Sequence, residues 1–350
     1  MNVTDTKELL FSTSTTRLSQ LRGIQWPTKR ILVIGAGELA VRVAEALRSQ
    51  KLRLVSVVGF LAAVPSQVGV SLPGGSIIGT YDQVAEMVEN LNVDAVTICL
   101  EDRRTVLPVQ ILLDLKTAGI EVVDGLRAYE DASGRLSIDF LRPSTLIFAR
   151  GFKRRFVSMV AKRLCDILIS ICGLVALLPL FGVVAILIKV DSPGPVFFRQ
   201  TRVGLAGRPF LIWKLRSMQV DAEKSGPRWA QVDDPRVTRI GRWLRKSRID
   251  ELPQLINVLR GEMSLVGPRP ERPAFVQELR MLIPYYDIRH TVKPGVTGWA
   301  QVKFRYGASL EDSHMKLQYD LFYVKNLSVF LDLNILFRTV TVVILGKGAY

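Results

Sequence analysis

The sequence predicts an α/β protein in two parts: an N-terminal Rossmann-like, doubly wound domain, then a mostly helical, monotopic membrane domain with a re-entrant helical hairpin. Three observations carry this reading. Strand and helix patterns alternate from Arg30 to Val123, the run from Ile167 to Ile188 is apolar and uncharged, and cations crowd both flanks of that run. The 350 residues are 48% hydrophobic, enough for two cores and a membrane contact. A formal charge of +15 calls for an anionic partner, with nucleic acid, an anionic leaflet and phosphorylated small molecules as the classes.

Residues 1–28 read as a tail: Met1 to Pro27 is rich in Ser and Thr and has no apolar run long enough for an export signal. Residues 29–150 read as the Rossmann-like domain. Ile31 to Ile34 forms a strand, Gly35-Ala36-Gly37-Glu38-Leu39-Ala40 a nucleotide-type first turn, and a helical segment follows through Leu47. Gly35 and Gly37 are the candidate cofactor-binding positions. A strand at Leu52 to Phe60, a helix near Tyr81 to Leu91, a strand at Asp94 to Leu100, a helix near Val106 to Ala118 and a strand at Ile120 to Val123 continue the alternation. The second strand ends in Gly59-Phe60-Leu61-Ala62-Ala63, without the acid that holds an adenosine ribose, which disfavours a nicotinamide-dependent oxidoreductase. Fold alone does not establish nucleotide binding, so a structural or regulatory role for this domain stays open.

Residues 151–163 read as a basic juxtamembrane linker. With Arg150, the cations Lys153, Arg154, Arg155, Lys162 and Arg163 suit an anionic leaflet, at about 1 kcal/mol per well-placed charge. Residues 164–190 read as a re-entrant membrane helix. As a helix, Ile167 to Ile188 could just cross a hydrocarbon core of about 30 Å, but Pro179 lies near its middle and bends or breaks it. The C-terminal flank, with Lys189, Arg199, Arg202, Arg208, Lys214 and Arg216, is as basic as the N-terminal one, which favours both ends on the cytoplasmic face, with an ordinary transmembrane helix as the plainer alternative. The cations cluster beside this segment and no recognition motif accompanies them, which argues against nucleic acid.

Residues 191–350 read as the catalytic domain. Its centre is the run Arg245-Lys246-Ser247-Arg248-Ile249-Asp250-Glu251-Leu252-Pro253-Gln254-Leu255. Pro253 suits a first helical turn and Asp250 a cap at its N-terminus. Leu252, Leu255, Ile256 and Leu259 recur at helical spacing, which places Asp250, Gln254 and Asn257 on another face, turned away from the core. Neighbouring cations and the helix N-terminus keep Asp250 ionised with a lowered pKa, and an ionised Asp can attack phosphorus to form an acyl phosphate. A surface ion-pair patch is the plainer alternative. Leu327 to Leu345 is again apolar apart from Asp332 and Arg338, which suits a C-terminal helix lying at the membrane interface or buried in the domain. Cys99, Cys165 and Cys172 form no disulfide framework, and His290 and His314 have no metal-ligand spacing.

Further motifs follow in order: Lys162-Arg163 with Asp166; Ser192-Pro193-Gly194-Pro195; Arg199-Gln200 with Arg202-Val203-Gly204; Trp213-Lys214-Leu215-Arg216; Met263 to Pro270; Lys293 to Val302; and Tyr319 to Asn326. On these and the Asp250-Glu251 run, the chain from about Lys162 onward resembles the bacterial sugar transferase family, the monotopic polyprenyl-phosphate phosphoglycosyl transferases that initiate exopolysaccharide assembly. The resemblance implies that Asp250 attacks the sugar-linked phosphate of a nucleotide sugar, a uridine diphosphosugar by preference. A polyprenyl phosphate then takes the phosphosugar. It implies that Glu251 positions the nucleophile and metal or assists proton movement, and that Mg²⁺, held by Asp250 and Glu251, offsets the diphosphate charge. Arg245, Arg248 and Arg269 are candidates for phosphate contacts, Arg269 being held between Pro268 and Pro270, with Lys214 and Lys293 as further substrate-binding positions. The implied setting is the cytoplasmic face of the bacterial inner membrane, with anionic lipid as a partner and a homodimer allowed. Two departures stand out: Leu178 precedes Pro179 where family members often have Ser, and many large relatives open with transmembrane helices that these 350 residues do not encode. The alternative function is a membrane-docked, nucleotide-sensing regulatory protein with a catalytically silent acid pair.

Overall fold

The computed structural model describes residues 28–49, 55–100, 107–149, 151–153, 156–222, 226, 234–304, 307 and 309–344. The tail to Pro27 and the linker cations Arg150, Arg154 and Arg155 lie outside the described residues. The chain forms two compact units, Met1–Gly134 and Arg135–Tyr350. The second unit therefore starts earlier than the sequence suggests, because Leu136 and Ile138 are buried in a core with Val276, Leu279, Leu317 and Leu321.

The first unit is built on a six-stranded sheet in the order β3-β4-β2-β1-β5-β6. Its strands are β1 (Lys29–Ile34), β2 (Val55–Ala62), β3 (Ser71–Leu72), β4 (Gly75–Thr80), β5 (Ala95–Ile98) and β6 (Glu121–Asp124). All neighbours pair in parallel except β3 with β4. Helices α1 (Glu38–Arg48) and α4 (Gly125–Ser133) pack against each other, as do α2 (Val84–Asn90) and α3 (Val109–Thr117). Leu32, Ile34, Leu61, Val96 and Ile98 bury one side of the sheet against Val84, Val88, Leu112 and Leu115. Sheet order reverses at β1 and β5, the place where open parallel sheets leave a crevice. There Gly35 has φ 121°, and a Cβ on it would stand 2.6 Å from the Cys99 carbonyl oxygen, so glycine is required. Gly37 caps α1 without a side-chain bond. The Gly-rich strand β4 escaped the sequence reading, and β2 ends at Ala62 rather than Phe60, with the expected start at Leu52 lying outside the described residues.

The second unit opens with α5 (Pro143–Phe148) and the 36-residue α6 (Phe156–Asp191). The helix is continuous through Pro179, so the two limbs expected from the sequence are one element, and Lys162 and Arg163 lie inside it rather than in a linker. A single stripe faces the unit: Asp166 and Ser170, then Leu174 and Leu177, then Val184 and Ile188. The other side exposes Leu168, Val175, Leu178, Val183 and Ile186, with no charge among them. Each end of α6 is tied to the same unit. Near its start, Lys162 pairs with Asp332 at 2.6 Å, and the Asp166 carboxylate accepts from the Leu265 N–H at 3.0 Å. At its end, the Arg216 guanidinium donates to the Ile188 carbonyl in the last turn at 3.3 Å and to the Ser192 and Pro193 carbonyls just beyond the helix at 2.7 and 2.5 Å.

An antiparallel hairpin follows, β7 (Phe197–Val203) with β8 (Pro209–Leu215), then α7 (Arg239–Lys246), α8 (Gln254–Arg260), β9 (Ser264–Val266) and α9 (Pro273–Leu282). β10 (Gly295–Thr297) pairs in parallel with β9. Their backbones meet so closely that a Cβ on Gly295 would lie 2.1 Å from the Gly267 nitrogen. Helices α10 (Trp299–Lys303), α11 (Leu310–Lys325) and α12 (Val329–Ile344) complete the unit. The last of these buries Ile335 and Asp332 on one face and exposes Phe330 and Phe337 on another.

Candidate active site

Between α7 and α8 the chain turns at Arg248, whose φ of 60° is left-handed and unusual for a residue with a Cβ. The turn feeds a 3₁₀ segment, Ile249–Glu251, and Pro253 then occupies the N-cap position of α8. Asp250 thus stands just ahead of the helix instead of capping it. Its surroundings also depart from the expectation: Asp250, Glu251, Gln254 and Asn257 are 6%, 8%, 1% and 0% exposed, whereas of the expected apolar set Leu255 is buried in a core and Leu252, Ile256 and Leu259 are half-buried. The reason is that the polar face has partners of its own. Asn257 accepts from the Trp213 N–H at 3.0 Å and donates to the Leu211 carbonyl at 2.7 Å, which joins α8 to the edge of β8. The C-terminal end of α8 is held by Arg163, which donates to the Val258 and Leu259 carbonyls at 2.6 and 2.9 Å.

Glu251 is the hub of the site. Arg269 grips it with both guanidinium arms, at 2.5 and 3.2 Å, Lys214 donates to it at 3.1 Å, and Arg248 lies 3.9 Å away. Three of the expected cations therefore converge. The other two do not: Arg245 is half-buried in the last turn of α7 and has no described pairing with either acid, and Lys293 lies beside Gly261 and near Arg163, on the side of the unit where α6 begins. Sequence reasoning gave no role to Arg202, which pairs with Glu271 at 3.7 Å, or to the Arg289–Asp320 pair at 2.8 Å. The Arg202-Val203-Gly204 and Tyr319-Asp320 motifs were visible, but pairing across the fold was not.

The two acids have opposite electrostatics. Burial and the neighbouring Glu251 carboxylate push Asp250 up to about 6, against the pull of Lys214, Arg248 and Arg269. This overturns the expectation of a lowered pKa: desolvation and a like charge outweigh the cations, which Glu251 has already engaged. Burial also works against ionisation of Glu251, but Arg269 and Lys214 more than offset it and hold that carboxyl well below the ordinary range. Asp250 Oδ1 is buried with no hydrogen-bond partner. Among the described residues no three His, Cys, Asp or Glu side chains form a metal-binding group.

A buried Asp–Glu pair ringed by cations thus lies on a unit whose longest helix is, by length and composition, long and apolar enough to cross a membrane. The chain belongs to the bacterial sugar transferase family, whose model matches residues 157–346. It is 44% identical over 220 residues to a UDP-N-acetylgalactosamine-undecaprenyl-phosphate N-acetylgalactosaminephosphotransferase of Aeromonas hydrophila, covering 63% of this chain and 51% of the relative. It is 36% identical over 331 residues to an undecaprenyl-phosphate glucose phosphotransferase of Komagataeibacter xylinus, covering 92% and 60%. With the UDP-glucose:undecaprenyl-phosphate glucose-1-phosphate transferase of Escherichia coli (strain K12) it shares 44% identity over 196 residues, covering 55% and 42%. The chain thus spans about half the length of these relatives.

Proposed function

We propose that this protein transfers a sugar-1-phosphate from a nucleotide sugar, a uridine diphosphosugar by preference, to undecaprenyl phosphate, and so initiates assembly of an exopolysaccharide or other surface glycan. The observation that carries the reading is the division of labour in the acid pair: Glu251 gathers Lys214, Arg269 and Arg248, and Asp250 beside it keeps an unpartnered oxygen. Asp250 attacks the sugar-linked phosphorus, a new P–O bond forms, and the bond to the nucleoside monophosphate breaks with that phosphate as leaving group. An oxygen of undecaprenyl phosphate then attacks the same phosphorus and the Asp250 carboxylate leaves. Neither step moves a proton to carbon, so cations and positioning supply the catalysis. Asp250, whose Oδ1 has no hydrogen-bond partner, is the residue that would hold Mg²⁺, and the ion would supply neutralisation of the phosphate charge. With Glu251 committed to cations, its part is to hold the phosphate-binding side chains in place.

The setting follows from α6. A helix whose uncharged face is exposed along its length, and whose two ends are fastened to one unit, supports an α6 that meets the membrane along that face with both ends on the cytoplasmic side of the inner membrane. Cysteines placed at Lys153 and Lys189 are expected to resist an impermeant thiol reagent in intact cells and to react in inverted vesicles; labelling of one alone in intact cells means a transmembrane span. The parallel sheet of the first unit and its Gly35-Ala36-Gly37 turn support a Rossmann-like module, and the missing ribose acid favours a structural or regulatory role for it.

The test is release of uridine monophosphate from UDP-glucose and UDP-N-acetylgalactosamine by detergent-solubilised protein with Mg²⁺ and undecaprenyl phosphate. Lipid-dependent release supports the transferase; none from either donor or from a wider panel returns the chain to the membrane-docked regulatory alternative. Because the nucleophile must be ionised, turnover is expected to be full at pH 7 to 8 and to fall as pH drops through about 6. A pH–rate profile that shows no acid limb above the ordinary carboxylate range, with or without Mg²⁺, counts against Asp250 as the titrating group.

A further inference from the structure

The segment Pro268-Arg269-Pro270-Glu271 has no regular secondary structure, yet each of its carbonyls accepts a hydrogen bond from outside the segment. Pro268 O takes the Gly295 N–H at 2.9 Å, Arg269 O takes Arg289 Nη2 at 2.8 Å, Pro270 O takes Arg202 Nη1 at 3.1 Å, and Glu271 O takes the Val203 N–H at 2.9 Å. Irregular buried backbone must find such partners somewhere. What is unusual is the nature of the second donor. Arg289 is a buried cation, 6% exposed, on the 3₁₀ segment Tyr286–Thr291, and its ion partner Asp320 on α11 is itself 2% exposed. Its Nη1 also donates to the Tyr286 hydroxyl at 2.6 Å. An isolated charge in this place is costly, and the pair has no contact with Glu251 or Asp250 among the described bonds. Its contact toward the site is the main-chain oxygen of Arg269, the residue whose side chain grips Glu251.

We infer that Arg289 is a positioning residue: clamped by Asp320 and Tyr286, it fixes the backbone of Arg269 so that the Arg269 guanidinium is presented to Glu251 and to the substrate phosphate. The inference rests on the reading of Arg269 as a phosphate contact in the proposed reaction. The planar fork of arginine is what serves, since one guanidinium binds a carboxylate, a phenol and a carbonyl in a fixed geometry that a lysine ammonium does not reproduce. Pro268 and Pro270 remove two backbone donors and restrict the chain on either side of Arg269, which leaves the carbonyl contacts to set its final orientation.

The experiment is a double-mutant cycle in the full chain, combining Arg289→Lys with Arg269→Ala. It is read on uridine monophosphate release at varied UDP-sugar and, separately, on UDP binding by calorimetry. Arg289→Lys is expected to raise KM for the nucleotide sugar and weaken UDP by up to about 10²-fold, as for an angstrom-scale misplacement, and to cost nothing further once Arg269 is Ala. Multiplicative losses in the double variant, or a fall in melting temperature with UDP affinity unchanged, overturn the inference. If Arg289→Lys does not fold, Tyr286→Phe removes one arm of the clamp and enters the same cycle. A wild type that binds UDP but releases no monophosphate refutes the transferase reading, and the binding cycle then decides the role of Arg289 by itself.

Discussion

Asp250→Asn is expected to abolish phosphosugar transfer while leaving the protein folded. Asparagine keeps the volume of the side chain and removes its charge and its nucleophilic oxygen, and loss of a nucleophile from a covalent mechanism costs up to about 10⁶-fold. The substitution breaks no ion pair described for Asp250, whereas the carboxylate it replaces is buried against Glu251. Because the folded-state pKa of Asp250 is raised above its unfolded value, its ionisation opposes folding once the pH exceeds the ordinary carboxylate range. At pH 7 the variant should therefore melt at or above the wild-type temperature, with monophosphate release at background. Full release by the variant, or a variant that fails to fold, removes Asp250 from the proposed role.

Glu251→Ala should do the opposite to stability. It leaves Lys214 and Arg269 partly buried around a missing counter-ion, and stranding charges in this way costs roughly 3–5 kcal/mol. Denaturant unfolding should show that loss, and turnover should fall with it because the cations no longer share one anchor. A further consequence separates this role from direct metal binding: inorganic phosphate should raise the melting temperature of Glu251→Ala more than that of the wild type, since the anion refills the vacated place among the cations. Equal phosphate effects on the two proteins, with stability unchanged, would show that Glu251 is not the anchor of the cluster.

Much of this was legible in the sequence. The β/α alternation of the first unit rests on local hydrophobic patterns, and β1, α1, α3 and β5 fall where those patterns place them. β4 was missed because Gly75-Ser76-Ile77-Ile78-Gly79-Thr80 has too few apolar residues to mark a strand; Ile77 is buried because β2 lies beside it. In the second unit the acid pair and Lys214, Arg248 and Arg269 were readable as types in motifs. Their arrangement around Glu251 depends on strands and loops far apart in the chain. The burial of the polar positions of α8 has the same origin: helical spacing separates polar from apolar positions, but the neighbouring β8 and α6 bury Asn257 and Gln254 alongside Leu255. The continuity of α6 through Pro179 was equally out of reach, since proline signals a weakened helix and not whether packing will carry it across.

The bonds that fasten α6 have a consequence for how far the acid pair stands from oil. Arg163, on α6, holds the last turn of α8, and α8 begins at Gln254, just after the acid pair. With α6 lodged in the bilayer as proposed, the depth of the carboxylates is a fixed dimension of the protein, set by a few side-chain lengths. For the proposed reaction, a lipid-borne phosphate need only diffuse in two dimensions to meet the acid pair, while a water-borne sugar nucleotide arrives from the third.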